Sequence, residues 1–195
     1  MILAYLLGSV PTSYLAGRLG AGIDLREHGS RNLGATNVWR VLGPRYAVPV
    51  GLFDLAKGTV PVLLLAPWAG GGPWVPLGTG GAAILGHVFP VFLSFRGGKG
   101  VATAAGVLLA VAPAAVLAAA AAWGGVLYLT GYVSVGSLTA AIVFPLASWL
   151  LNPDDTYTLG AGIVLSGFVV YTHRANIRRL LDGTESRFRR RQREA

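Results

Sequence analysis

With 195 residues, 53% hydrophobic and only 12% charged, this chain is too apolar for a soluble domain. Its mean hydropathy is +0.59, and uncharged runs at 1–17, 58–95 and 100–153 place most of it in a bilayer. It has no cysteine, which excludes disulfides, a thiolate nucleophile and Cys-type metal sites. The formal charge of +8 could suggest nucleic acid, but the placement of the cations argues against that partner. All 16 lie at Arg18, Arg26, Arg31, Arg40, Arg45, Lys57, Arg96 and Lys99 and in the tail from Arg174 to Arg193. The turns near 66–80 and 152–158 hold none, the one-sided pattern that marks the cytoplasmic face of a membrane protein. The tail arginines then rest on anionic lipid heads, with membrane lipids and not nucleic acid as surroundings.

In chain order, the first predicted helix covers about 2–19 and runs from outside to inside. No Lys or Arg precedes its apolar run, so it reads as a retained helix and not a signal peptide. Its Ser9, Pro11, Thr12 and Ser13 are expected to face other helices. Residues 20–45 form the longest polar stretch. There Gly29 and Gly34 bracket a run of hydroxyl, amide and guanidinium groups that a simple linker would not need.

A second helix is predicted from Tyr46 or Pro49 to Ala66, with Asp54 and Lys57 three apart on one face. Ionisable groups inside a span are costly and point to function, so Lys57 is a candidate with Asp54 as its partner. Residues 67–76 form an uncharged outer turn carrying Trp68 and Trp74. A third helix, about 77–94, brings His87 toward the turn Gly97-Gly98-Lys99-Gly100.

That turn opens into an apolar helix, so free N–H groups and a cation stand together as an anion site. It is not a Walker A loop, because Gly100 stands where Ser or Thr should follow the lysine. Beyond it, segments at about 100–111, 113–130 and 134–151 fit three crossings. A last helix at about 157–173 ends in His173, three residues before Asn176. The chain is therefore expected to be an all-α polytopic membrane protein of about seven transmembrane helices. Its amino terminus would lie outside and its carboxyl terminus in the cytoplasm. A single membrane-embedded domain would cover 1–195, with a basic tail from 179.

No H-E-x-x-H or H-x-x-E-H metal motif occurs, no His is followed by Asp in an H-x-x-x-x-D pair, and no D-x-x-D pair is present. What remains is an inner face rich in cations, hydroxyls and amides, suited to holding phosphates. A small transporter of phosphorylated solutes is the alternative. It is disfavoured because no internal repeat is visible and the polar motifs sit at helix ends.

Five segments resemble the signatures of a known family. They are Ser30-Arg31-Asn32-Leu33-Gly34-Ala35-Thr36-Asn37, Asp54-Leu55-Ala56-Lys57-Gly58, Gly86-His87 with Gly97-Gly98-Lys99-Gly100-Val101-Ala102-Thr103, Tyr132-Val133-Ser134-Val135-Gly136-Ser137 and His173-Arg174-Ala175-Asn176-Ile177. Together they are similar to the bacterial acyl-phosphate:glycerol-3-phosphate acyltransferases, the PlsY family, in the right order over nearly the whole chain. Arg31 departs from it, where the family commonly has a small residue, and so does Gly131, where it often has a cation.

The resemblance implies transfer of a fatty acyl group from acyl phosphate to the 1-hydroxyl of glycerol 3-phosphate, giving lysophosphatidic acid and phosphate. It implies no cofactor or metal, and a multi-pass protein of the bacterial inner membrane with its site on the cytoplasmic face. By matching position, Ser30, Arg40 and Lys99 would hold the phosphates, with Lys57, His173 and Asn176 completing the glycerol phosphate pocket. Ser137 and Asn176 would donate near the acyl phosphate carbonyl. Asn32, Thr36, Asn37, His87, Gly97, Gly98 and Gly100 would line the substrates. The proton acceptor stays open among His173, His87 and a substrate phosphate.

Overall fold

The computed structural model of the chain describes residues 1–188. Arg189, Arg190, Arg191 and Arg193 of the expected basic tail lie outside the described residues. Every described regular element is helical: α1 (Ile2–Gly8), α2 (Thr12–Ala21), α3 (Ala35–Leu42), α4 (Pro44–Leu64), α5 (Ala66–Ala69), α6 (Trp74–Val88), α7 (Val101–Val111), α8 (Pro113–Thr130), α9 (Val133–Leu151), α10 (Thr156–Thr172) and α11 (Arg174–Leu181). A single 3-10 turn at Val91–Leu93 follows α6.

Among the described residues, four stretches are long and apolar enough to cross a membrane: Pro44–Ala69, Trp74–Leu93, Pro113–Thr130 and Val133–Leu151. The apolar helices Val101–Val111 and Thr156–Thr172 are shorter. At 1.5 Å per residue, α7 reaches only about 16 Å, roughly half of a hydrocarbon core.

The expected single helix over 2–19 is instead two helices. Pro11 has no N–H to donate and restrains the residue before it, so the chain breaks between Gly8 and Thr12. The break frees the Val10 carbonyl, which accepts from the Thr12 N–H at 3.0 Å and from Lys57 Nζ at 3.1 Å.

The chain divides into two compact units, Met1–Pro113 and a second beginning at Ala114. In the first, helices cross at glycines that leave no room for a Cβ. Gly8 and Gly86 bring α1 against α6, while Gly58 and Gly106 bring α4 against α7. Close backbone approach of this kind drives helix association where burial in lipid supplies no hydrophobic gain. Thr59 adds a bond across the second crossing, donating to the Gly106 carbonyl at 2.8 Å.

The polar stretch 20–45 is not an open loop. Leu25, Leu33 and Val38 are buried with Ala47, Val50 and Leu93 in one apolar cluster beneath it. Its second half forms the amphipathic helix α3.

In the second unit, Gly162 of α10 packs on the Phe144 ring of α9, and the Ser166 hydroxyl reaches the Ala141 carbonyl. Leu117, Leu129, Ile142, Leu150 and Val164 are exposed, as lipid-facing side chains should be.

Candidate active site

The loop ahead of α3 is held from within by Asn37, which is 1% exposed. Its Oδ1 accepts from the Ser30 N–H at 2.8 Å, and its Nδ2 donates to the carbonyls of Leu25 and His28 at 3.2 and 3.0 Å. Gly29 lies against the Asn37 side chain where a Cβ would collide. Asn37 thereby sets the backbone that presents Ser30. The next residue, Arg31, adopts φ +59°, a left-handed backbone that favours a residue without a Cβ.

Upstream, Asp24 fixes the loop's entry. Arg26 donates to it at 2.6 Å and Arg18 at 3.3 Å, and both guanidiniums lie over the Tyr14 ring. The Arg26 hydrogen bond holds the Asp24 carboxyl down at about 2, so the cluster is charged at any physiological pH.

The Gly-rich turn is locked against α6. Gly97 N–H donates to the Val88 carbonyl at 3.0 Å and Gly98 N–H to the His87 carbonyl at 3.1 Å. A Cβ at Gly98 would strike both His87 Nε2 and the Leu33 carbonyl oxygen, so only glycine lets the turn close on α6 and the polar loop together. Gly100, at φ +79°, then turns the chain into α7. Lys99 is half-buried between them.

Behind this turn lies a polar cluster inside the apolar unit. Asp54 is 1% exposed and Lys57 6%. Lys57 Nζ stands 2.9 Å from Asp54 Oδ1, which also accepts from Thr12 Oγ1 at 2.6 Å and faces His87 Nδ1 at 3.6 Å. A narrow cleft runs between residues 8–13 of the helix break, Lys57, His87 and Gly97-Gly98. The buried Ser13 hydroxyl lines it and makes no hydrogen bond among the described residues.

Of the predicted residues, Ser30, Asn32, Thr36, Asn37 and Arg40 thus lie on or just before α3, while Lys57, His87, Gly97 and Gly98 line the cleft. All belong to the first unit, as do Lys99 and Gly100.

The second unit carries Ser137, His173 and Asn176. His173 is 2% exposed, and its Nδ1 lies 2.8 Å from the Val169 carbonyl. A carbonyl only accepts, so Nδ1 bears the proton and Nε2 is the basic nitrogen of the neutral ring. Asn176 Nδ2 donates to Glu185 Oε1 at 2.6 Å, Ser134 Oγ donates to the same oxygen at 2.8 Å, and Arg179 Nε donates to Oε2 at 2.7 Å. Burial works to raise the Glu185 carboxyl, but these three donors outweigh it and hold it below the usual range. Ser137 Oγ donates to the Val133 carbonyl at 2.9 Å.

Residues 1–183 match the family model described as glycerol-3-phosphate acyltransferase. The chain belongs to the glycerol-3-phosphate acyltransferase family. A glycerol-3-phosphate acyltransferase from Desulforudis audaxviator is 52% identical over 186 residues, covering 95% of this chain and 92% of the relative. One from Geobacter sulfurreducens is 46% identical over 186 residues, covering 95% and 94%. The crystal structure of PlsY, an integral membrane glycerol 3-phosphate acyltransferase, in its glycerol 3-phosphate form superposes with a TM-score of 0.90 at 44% identity. It covers 96% of this chain and 93% of that one. The lysophosphatidic acid form gives 0.87 at 43% identity, covering 95% and 92%.

This chain is accordingly a PlsY-family acyltransferase and a multi-pass membrane protein. Within it, Arg31 holds a left-handed backbone, a conformation that favours glycine. At Gly131, also left-handed at φ +75°, the side chain of Arg187 lies alongside, its guanidinium over Tyr132. Sequence reading missed Thr12 as a partner of Asp54, and Glu185 as the clasp on Ser134 and Asn176. Nothing in local spacing pointed to either.

Proposed function

We propose that this enzyme transfers a fatty acyl group from acyl phosphate to the 1-hydroxyl of sn-glycerol 3-phosphate, releasing lysophosphatidic acid and phosphate. The observation that carries the reading is the glycine turn locked on His87 and Leu33, which leads half-buried Lys99 straight into α7. An acyl phosphate already holds a good leaving group, so strong acid catalysis is unnecessary. Two phosphates must instead be brought together against their repulsion, which Lys99 and Arg40 offset with Ser30 as a donor. Lys57 adds a buried cation to this set within the first unit, and the second unit carries a further set of polar groups in His173, Asn176 and Ser137. Holding hydroxyl and carbonyl in line then supplies up to about 7–11 kcal/mol.

The hydroxyl oxygen attacks the acyl carbon, the bond from that carbon to the phosphate's bridging oxygen breaks, and phosphate departs with that oxygen. The proton passes to the departing phosphate or to a neutral histidine. Glycerol 3-phosphate labelled with 18O in its 1-hydroxyl should therefore give lysophosphatidic acid labelled in the ester's bridging oxygen. Product with an unlabelled bridge would rule this attack out.

As one membrane-embedded domain of about seven crossings, the protein would lie in the bacterial inner membrane. Its amino terminus would be outside, and its site and tail on the cytoplasmic face. Cysteines placed singly at Gly71 and Asp154 should react with a membrane-impermeant thiol reagent in intact cells, and those at Gly97 and Gly131 should not. Labelling at 97 or 131 would contradict the orientation.

A further inference from the structure

We infer that Asp54 is a positioning residue: through His87 it sets the turn that carries Lys99, and through Thr12 and Lys57 it closes the helix break beneath that turn. The inference rests on the acyl-transfer reading above. Asp54 gathers groups from three separate segments onto one carboxylate that is 1% exposed. Thr12 opens α2, Lys57 lies one turn along α4, and His87 stands at the end of α6.

His87 is the piece that reaches the turn. Its Nδ1 faces Asp54 at 3.6 Å and makes no hydrogen bond among the described residues. Its Nε2 presses on Gly98 where a Cβ would collide, and its carbonyl takes the Gly98 N–H. The imidazole is therefore a wedge between the carboxylate and the residue preceding Lys99. Lys57, meanwhile, spends its charge on Asp54 and on the Val10 carbonyl that the helix break frees. A buried ion pair adds little stability over well-packed apolar residues, so a merely structural pair is poorly explained. One that fixes the floor under a phosphate-holding turn has a reason to persist.

The test uses full-length protein in detergent with acyl phosphate and varied glycerol 3-phosphate. Asp54→Asn and His87→Gln should each raise KM for glycerol 3-phosphate by roughly tenfold, the scale of one misplaced charge-assisted contact. Because both act on the same turn, the double variant should be no worse than the larger single one. A variant that lowers kcat at unchanged KM has merely lost active protein, and that result overturns the inference. So do losses that multiply.

Asp54→Asn leaves the Lys57 charge uncompensated inside the protein, a strongly destabilising change. Thr12→Val then serves, since it keeps both charges and removes only the 2.6 Å bond. It should raise KM in the same direction by about threefold, again without adding to His87→Gln, and an unchanged KM would overturn the inference. Wild-type protein that makes no lysophosphatidic acid would instead sink the acyl-transfer reading, and this inference with it.

Discussion

Replacing Lys99 by alanine is expected to remove acyl transfer by roughly two to three orders of magnitude while the protein stays folded. The packing of the turn is done by its neighbours: Gly97 and Gly98 lie on α6, and Gly100 directs the chain into α7. Lys99 itself is half-buried at the mouth of α7, so truncation removes a cation without opening the apolar cluster of Leu25, Leu33 and Val38. The loss should be specific to the positive charge, with Lys99→Arg retaining part of the activity. Initial rates, read beside the elution volume and thermal unfolding of the same preparation, check this. An alanine variant with near-normal turnover would reduce the turn to a membrane hairpin with a decorative cation.

The second large effect is an absence: enzyme mixed with radiolabelled acyl phosphate and no acceptor should carry no stoichiometric label after denaturation. A covalent route needs a nucleophile bonded to a base that a third group orients. The structure does assemble a His–carboxylate pair from distant residues, His87 and Asp54, where sequence spacing offered none. Its attending hydroxyl is in the wrong order, however, because Thr12 donates to Asp54 and not to the imidazole. Ser137 gives its proton to the Val133 carbonyl, and Ser30 presents its backbone N–H to Asn37. Label that is retained and then chases into lysophosphatidic acid on adding glycerol 3-phosphate would establish an acyl-enzyme.

Much of this was readable in the chain because membrane physics writes itself locally. Apolar runs and their Pro and Gly interruptions placed the helix over 113–130 where α8 lies, and those over about 100–111, 134–151 and 157–173 close to α7, α9 and α10. Three features were not readable, each for a physical reason. The break at Pro11 depends on Lys57 to take the carbonyl of Val10 that it frees, and Lys57 lies forty-seven positions beyond Val10. Helix α3 hides in a polar stretch because Asn37 spends its amide inward on loop backbone, a choice that composition cannot reveal. Glu185 reads as one acid in a basic tail until the fold brings it to Ser134, fifty-one residues earlier.

The acyl-transfer chemistry proposed for this enzyme depends most directly on the identity of the acyl donor. Purified protein should be given glycerol 3-phosphate with either acyl phosphate or acyl-CoA, and lysophosphatidic acid and inorganic phosphate measured over time. The prediction is formation from acyl phosphate, one phosphate per lysophosphatidic acid, and no product above background from acyl-CoA. Comparable rates with acyl-CoA, or phosphate release without lysophosphatidic acid, would contradict it.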